Sequence, residues 1–123
     1  MDYIELNIHP EDILILGKLI FPDFVEVDGV VLLALLFDEE TYKKRKSHLT
    51  KRMTELGFNH VHIWDMFSAI NYKDEGNVCE GIGLLLKMGW EFSLSKCFSG
   101  RSFEVIYSNT ESDYGPTITF CER

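Results

Sequence analysis

Residues 38–57 read DEETYKKRKSHLTKRMTELG, and the way this stretch folds decides how the rest of the chain is arranged. It has the form of one amphipathic helix. Asp38 suits an N-cap, because its carboxylate can accept from free N–H groups of the first turn. Glu39 and Glu40 follow where the helix dipole favours negative charge, and Gly57 supplies a left-handed stop. Tyr42, Leu49, Met53 and Leu56 recur at helical spacing, and the stems of Arg45 and Lys46 fill the gap in their stripe. Lys43, Lys44, Ser47, Thr50, Lys51 and Thr54 then take the opposite face, flanked by Arg45, Lys46 and Arg52. Six Lys or Arg and no acid lie between Thr41 and Thr54, in a chain of net charge −8.

On the N-terminal side, residues 24–37 (FVEVDGVVLLALLF) place Asp28-Gly29 between two β-rich runs. That dipeptide predicts a hairpin, because a type I′ turn needs positive φ at both central positions. The second arm, Val30 to Phe37, is apolar on both faces and reads as a central strand covered on both sides, the alternative being a buried helix. Before it, Asn7 or His9 can cap a helix that starts at Pro10, carries Glu11 and Asp12 in its first turn and ends at Pro22. Ile13, Leu14, Leu16, Leu19 and Ile20 would be its apolar face. Residues 2–8 partly alternate and predict a short first strand.

On the C-terminal side, Phe58 to Trp64 reads as a strand. Val78, Ile82, Leu85, Leu86 and Met88, after Asp74-Glu75-Gly76, read as a helix ending at Gly89, in which Gly81 and Gly83 allow close approach to a sheet. Trp90, Phe92 and Leu94 alternate with polar residues as in a strand, Ser99-Gly100 turns the chain, and Phe103, Val105 and Tyr107 alternate again. After a polar loop, residues 117–121 form a last short strand. The predicted order is (β)αββαβαβββ: a single α+β domain with a mostly antiparallel sheet and about three helices packed on it.

With 123 residues, 46% hydrophobic and 13% aromatic, the chain can build one substantial core. Cys79, Cys97 and Cys121 form no CxxC pair and leave an odd one, which suits a reduced cytoplasm. Met1 is followed by acids and not by a signal sequence, and the longest apolar run, Val30–Phe37, is far short of the ~20 residues that span a bilayer, so no membrane association is expected. The acidic balance disfavours a general nucleic-acid coat and favours a protein partner with a basic surface.

Four stretches have residue types that carry chemistry. His60 and His62, two apart on a strand, point the same way and with Asp65 form the metal candidate; the plainer reading has Val61 and Ile63 in the core and the histidines on the other surface. Cys79 has no assignable His, and Asp74, Glu75 and Glu80 cluster where carboxylates simply favour a helix start. Gly81-Ile82-Gly83 begins like a dinucleotide fingerprint, but Leu86 stands at the third glycine. Lys43, Lys44, Arg45 and Lys51, with Arg101 in the Ser99–Ser102 turn, are the candidate anion or partner contacts; a solvated face is the plainer reading. No cofactor is implied.

The run from Val78 through LLLKMGWEFSLSKCFSGRSFEVIYSN to TITFCER resembles the helix, Gly-Trp strand and hairpin of small phage-encoded ABA-sandwich (α/β/α) domains. It covers at most the C-terminal 45 residues, and where such domains run on into a further helix this sequence ends at Arg123. The resemblance implies a phage or mobile-element accessory protein and transfers no catalytic residue. Size, acidity and the lack of catalytic motifs fit a protein-binding role better than an enzyme: an antagonist of host defence or a toxin-neutralising immunity protein. The alternative is a binder of a nucleotide or other anion through the Lys/Arg helix, and after it a metal-dependent hydrolase. Contact of the basic helix with the acidic surface of a second copy would give a homodimer.

Overall fold

The computed structural model of the protein describes residues 8–66, 76–110 and 115–123. It is α+β, with antiparallel sheets and helices packed on them. The strand expected over residues 2–8 lies outside the described residues except for Ile8, which belongs to no strand; Asp74 and Glu75 also lie outside them. Four α-helices are present among the described residues, and the strands form two sheets instead of one.

Helix α1 spans Pro10–Ile20, with His9 extended at its cap, and it stops before the buried Pro22. Strands β1 (Phe24–Val27) and β2 (Val30–Leu33) form the hairpin, and both turn residues have positive φ, 54° at Asp28 and 79° at Gly29. All four residues of β2 are buried, so it is covered on both faces as expected, but it has only one strand neighbour. Val31 and Leu33 enter the main core, while Val30 and Leu32 pack with Tyr42 in a second cluster. The chain leaves the strand at Leu33 for a 3-10 turn over Ala34–Leu36, and Leu35 and Leu36 are exposed, so the strand is shorter than the apolar run predicts.

Residues 38–57 are not one helix. Asp38 caps as expected, accepting from the Thr41 N–H at 3.1 Å and the Thr41 hydroxyl, and these bonds hold its carboxyl below the usual range. Helix α2 nevertheless covers only Glu39–Arg45, followed by a 3-10 turn at Lys46–His48 and an extended Leu49. Thr50 then caps a separate helix, α3 (Lys51–Phe58), by accepting from the Met53 N–H at 3.1 Å. Gly57 lies inside α3, and Asn59 is the C-cap. The buried face of α3 is also not the predicted one: Met53 is exposed, whereas Thr54 and Glu55 are buried.

That inverted face is explained by what it touches. Glu55 and Asn59, i and i+4 across the end of α3, are both 0% exposed and stand between the free edge of β2 and the part of β5 (Gly115–Glu122) that runs on past its short pairing with residues 61–62. Glu55 accepts from the Val31 N–H through Oε2 and from the Glu122 N–H through Oε1, each at 2.9 Å. Asn59 accepts from the Leu33 N–H at 2.9 Å and donates to the Val31 carbonyl at 3.0 Å and the Phe120 carbonyl at 3.4 Å. Two side chains thus satisfy edge groups that a further strand would otherwise pair.

The second sheet has the order β3-β5-β4, all antiparallel. Strand β3 is only Val61–His62, followed by a 3-10 turn at Ile63–Met66, so the strand expected over Phe58–Trp64 is cut at both ends. Phe58 belongs to α3 and Ile63 is a core residue of the turn. Strands β4 (Phe103–Thr110) and β5 pair along their whole length.

The largest departure is α4, one helix from Gly76 to Cys97. It runs through Gly89, and the Trp90–Ser95 stretch read as a strand lies inside it, including the Gly-Trp pair quoted for the ABA-sandwich resemblance. Cys79, Gly83, Leu86, Gly89, Trp90, Ser93 and Leu94 are buried, which is helical spacing, while Phe92 is exposed. Gly89 does not stop the helix. A Cβ there would collide with the Ile20 carbonyl, so glycine lets α4 cross the end of α1. A Cβ on Gly83 would enter the Tyr107 ring of β4, as the close-approach reading anticipates, whereas Gly81 faces open space.

Two stability outcomes follow. Glu55→Gln turns an amide NH2 toward a backbone N–H and should cost about 1–3 kcal/mol in urea denaturation, while Met53→Gln on the exposed face should stay within about 0.5 kcal/mol. Equal effects would remove the seam from its place in the fold. Gly81→Ala should stabilise by about 1 kcal/mol, the helix-propensity difference, and Gly83→Ala should destabilise because Tyr107 must move; thermal melts distinguish the signs.

Candidate binding cleft

Where α1, the 34–36 turn, β3, the 63–66 turn and α4 converge, they leave a cleft of about 300 Å³. Its deep wall is Leu33, Leu86 and Trp90, all buried in the core. Leu19, Val61 and Met66 form the half-buried sides, and Leu35 and Leu36 the exposed lip. The polar groups Lys18, His60, His62 and Asp65 also line it. Trp90 is held in place by its indole N–H, which donates to the Leu19 carbonyl at 2.9 Å. With Gly89 seated on Ile20, this bond fixes the end of α1 against α4 and therefore the width of the cleft. A second apolar groove of about 450 Å³ runs beside it between α1 and the 34–36 turn, sharing Lys18, Leu19, Pro22 and Leu35.

The predicted metal candidates meet only in part. The His60 and His62 rings are in edge contact, with centroids 4.8 Å apart. Asp65 is exposed on the following turn, and among the described residues no three His, Cys, Asp or Glu side chains are grouped to hold a metal ion. Val61 and Ile63 pack on the core, as the plainer reading has it. Cys79 and Cys121 are buried, Cys97 is exposed, and all three are free.

The basic candidates do not converge either. Lys43 pairs with Glu39 one turn earlier at 3.1 Å, Lys44 lies near the Asp38 carboxylate, and Arg45 stacks over the Phe58 ring. Their neighbour Lys46 bonds Asp28 at 2.8 Å, which raises its pKa. Lys51 bonds Glu122 Oε1 at 2.6 Å. Arg101 grips Glu122 with two nitrogens, Nε to Oε2 at 2.9 Å and Nη2 to Oε1 at 3.0 Å. Its Nη1 reaches Glu26 of β1 at 2.6 Å, and its guanidinium lies over Phe98 and Phe103. Arg101 and Lys51 are therefore parts of a clamp centred on Glu122, which ties the end of β5 to the hairpin.

Sequence reasoning missed Trp90, Leu86 and Leu36 as cleft residues, because it divided α4 at Gly89 and extended β2 to Phe37. The signal was present: Leu86, Trp90 and Leu94 repeat at i, i+4, i+8 straight through the glycine. Compared with family models, with curated proteins and with solved structures, the chain gives no match in any of the three. Among the described residues no helix is long and apolar enough to cross a membrane.

The clamp has a pH signature. Hydrogen bonds from Arg101 and then Lys51 hold the Glu122 carboxyl down to about 2, against an ordinary value of 4.5. A depressed folded-state pKa contributes stability that is complete above the ordinary value and is lost as the pH falls through the folded one. Urea midpoints followed from neutral pH down should therefore decline between about 4.5 and about 2. Glu122→Gln should lower the neutral-pH midpoint and flatten that decline; an unchanged acid limb would show that the clamp contributes nothing.

Proposed function

We propose that this protein is a binding protein that engages a protein partner by apolar contact, taking one or two apolar side chains of that partner into the cleft. The observation that carries this reading is the cleft itself: apolar from the buried Trp90 and Leu86 out to the exposed Leu36. Its volume of about 300 Å³ is at the bottom of the ~300–1,000 Å³ range of small-molecule sites, which suits inserted side chains better than a whole nucleotide. Lys18, the one Lys or Arg among the described residues of its lining, pairs with Asp23 at 3.0 Å. An anion in the cleft would meet that one exposed cation against an otherwise apolar wall, and at the Lys/Arg helices it would meet cations paired with Glu39, Asp28 and Glu122. The chain's acidity supports a partner whose apolar segment is flanked by basic residues. Within this class, an antagonist of host defence or a toxin-neutralising immunity protein is the role that small size and acidity favour.

The test is a panel of labelled amphipathic peptides with Leu or Phe anchors and Lys flanks, titrated by anisotropy while tryptophan fluorescence is followed. Saturable binding with a change in tryptophan emission is expected, and Leu36→Arg should weaken it at least tenfold with the melting temperature unchanged. Leu36 is 43% exposed, so its replacement blocks the lip without opening the core. Absence of binding across the panel, or binding indifferent to Leu36→Arg, would overturn the proposal.

A further inference from the structure

Among the described residues, helix α1 contributes little to the core. Leu19 and Ile20 pack against it, but Ile13, Leu14, Ile15 and Leu16 are 56%, 75%, 61% and 42% exposed in succession. A surface helix ordinarily turns its apolar stripe inward and its polar face out. Here the outward face is Glu11, Leu14, Ile15 and Lys18, spaced i, i+3, i+4 and i+7, which is the seam pattern of a helix that packs on another helix. The adjoining groove is walled by Leu14 and Ile15 on one side and Ala34 and Leu35 on the other. The same surface therefore supplies both the apolar side chains and the groove that receives them.

The sequence of this face is also self-complementary in charge. We propose that a second copy of this chain covers it, with the two α1 helices antiparallel about a twofold axis passing between Leu14 and Ile15. Glu11 and Lys18 lie equally far from that point, about 10 Å apart along the helix, so each Glu11 meets Lys18 of the partner subunit. Each Leu14 meets Ile15 of the partner subunit, and the contact is isologous, as closed dimers require. Lys18 already bonds Asp23, but both side chains of that pair are about 70% exposed, so exchanging it for the partner's Glu11 costs little.

Sedimentation equilibrium on the full chain over a concentration series tests this directly. The parent should show a reversible monomer–dimer equilibrium, and Leu14→Asp should be monomeric throughout with unchanged far-UV dichroism. Glu11→Lys and Lys18→Glu each set like charges together at two symmetric places and should raise the dimer dissociation constant by roughly 2- to 30-fold. The double variant Glu11→Lys/Lys18→Glu restores both pairs and should return the parent value, which a merely structural role for either residue would not produce. Leu36→Arg should leave the equilibrium untouched, so failure of the cleft and failure of the dimer are separately visible. A monomer at every concentration, or a double variant no better than the worse single one, overturns the proposal. So does a Leu14→Asp chain that loses helix content, because the face would then be covered from within the chain.

Discussion

The fold depends on two side chains doing what a strand would do. Strand β2 has one free edge, and β5, paired with β4 along one side, is paired with β3 on the other only at residues 117–118, which leaves a gap between the two unpaired stretches. Glu55 and Asn59 fill that gap with five hydrogen bonds to backbone groups of Val31, Leu33, Phe120 and Glu122. Buried backbone donors and acceptors left alone are costly, each comparable to a lost hydrogen bond, so the two sheets can adjoin only if something satisfies them. A carboxylate suits the place where two N–H groups converge, because both its oxygens accept. An amide suits the place where an N–H and two carbonyls converge, because it both accepts and donates. The residue types follow from the polarity of the edges they meet.

This requirement accounts for the break in the helical stretch. Tyr42 must lie over one face of the hairpin with Val30 and Leu32, while Glu55 must reach the free edge of the same strand. One straight helix from Asp38 would have to do both. The chain instead turns at residues 46–50 and restarts on the Thr50 cap. The clamp of Arg101 and Lys51 on Glu122 lies at the end of the same seam and reaches Glu26 in β1, so the two sheets are joined by polar bridges at their edges as well as by the aromatic core. Four of the six cations of residues 41–54 pair at the surface with acids of the same chain, Glu39, Asp28, Glu122 and Glu104.

What was legible in the residues was whatever local chemistry decides alone. The Asp28-Gly29 turn, the Asp38 cap, Pro10 and Pro22 at the ends of α1, and the double burial of Val30–Leu33 are fixed by short-range preferences that tertiary contacts did not override. What was not legible depended on partners distant in sequence. Glu55 and Asn59 look like surface residues until the strand edges at residues 31 and 122 are beside them, so an apolar stripe through Met53 seemed the buried one. Gly89 looks like a helix stop until Ile20 lies against it. Trp90, Phe92 and Leu94 satisfy a two-residue period over six positions, and only the longer window from Cys79 to Leu94 shows the helical one. The cleft was invisible for the same reason, since its deep wall comes from residues assigned to another element. The paired cations were misleading in the opposite sense, being conspicuous in sequence and engaged in the fold.

Most of the conspicuous charge of this molecule is paired within the chain, whereas several of its large apolar side chains are exposed. The core is complete without the first two turns of α1: Leu19, Ile20 and the Trp90–Leu19 hydrogen bond anchor its C-terminal end, and Gly89 brings α4 beneath it. Among the described residues no core contact accounts for Leu14 and Ile15 on the outer face of this helix, where Ser or Lys would serve solubility better. Their retention next to Leu35, which also forms the lip of the cleft, makes the two apolar surfaces neighbours that share Lys18, Leu19 and Pro22. A second copy seated on α1 would stand at the edge of the cleft and extend its apolar wall beyond Leu35. Because each copy's cleft lies beside the shared axis, a dimer would present two such clefts in a fixed relation, and a partner with two apolar anchors would gain from the second without any new contact chemistry.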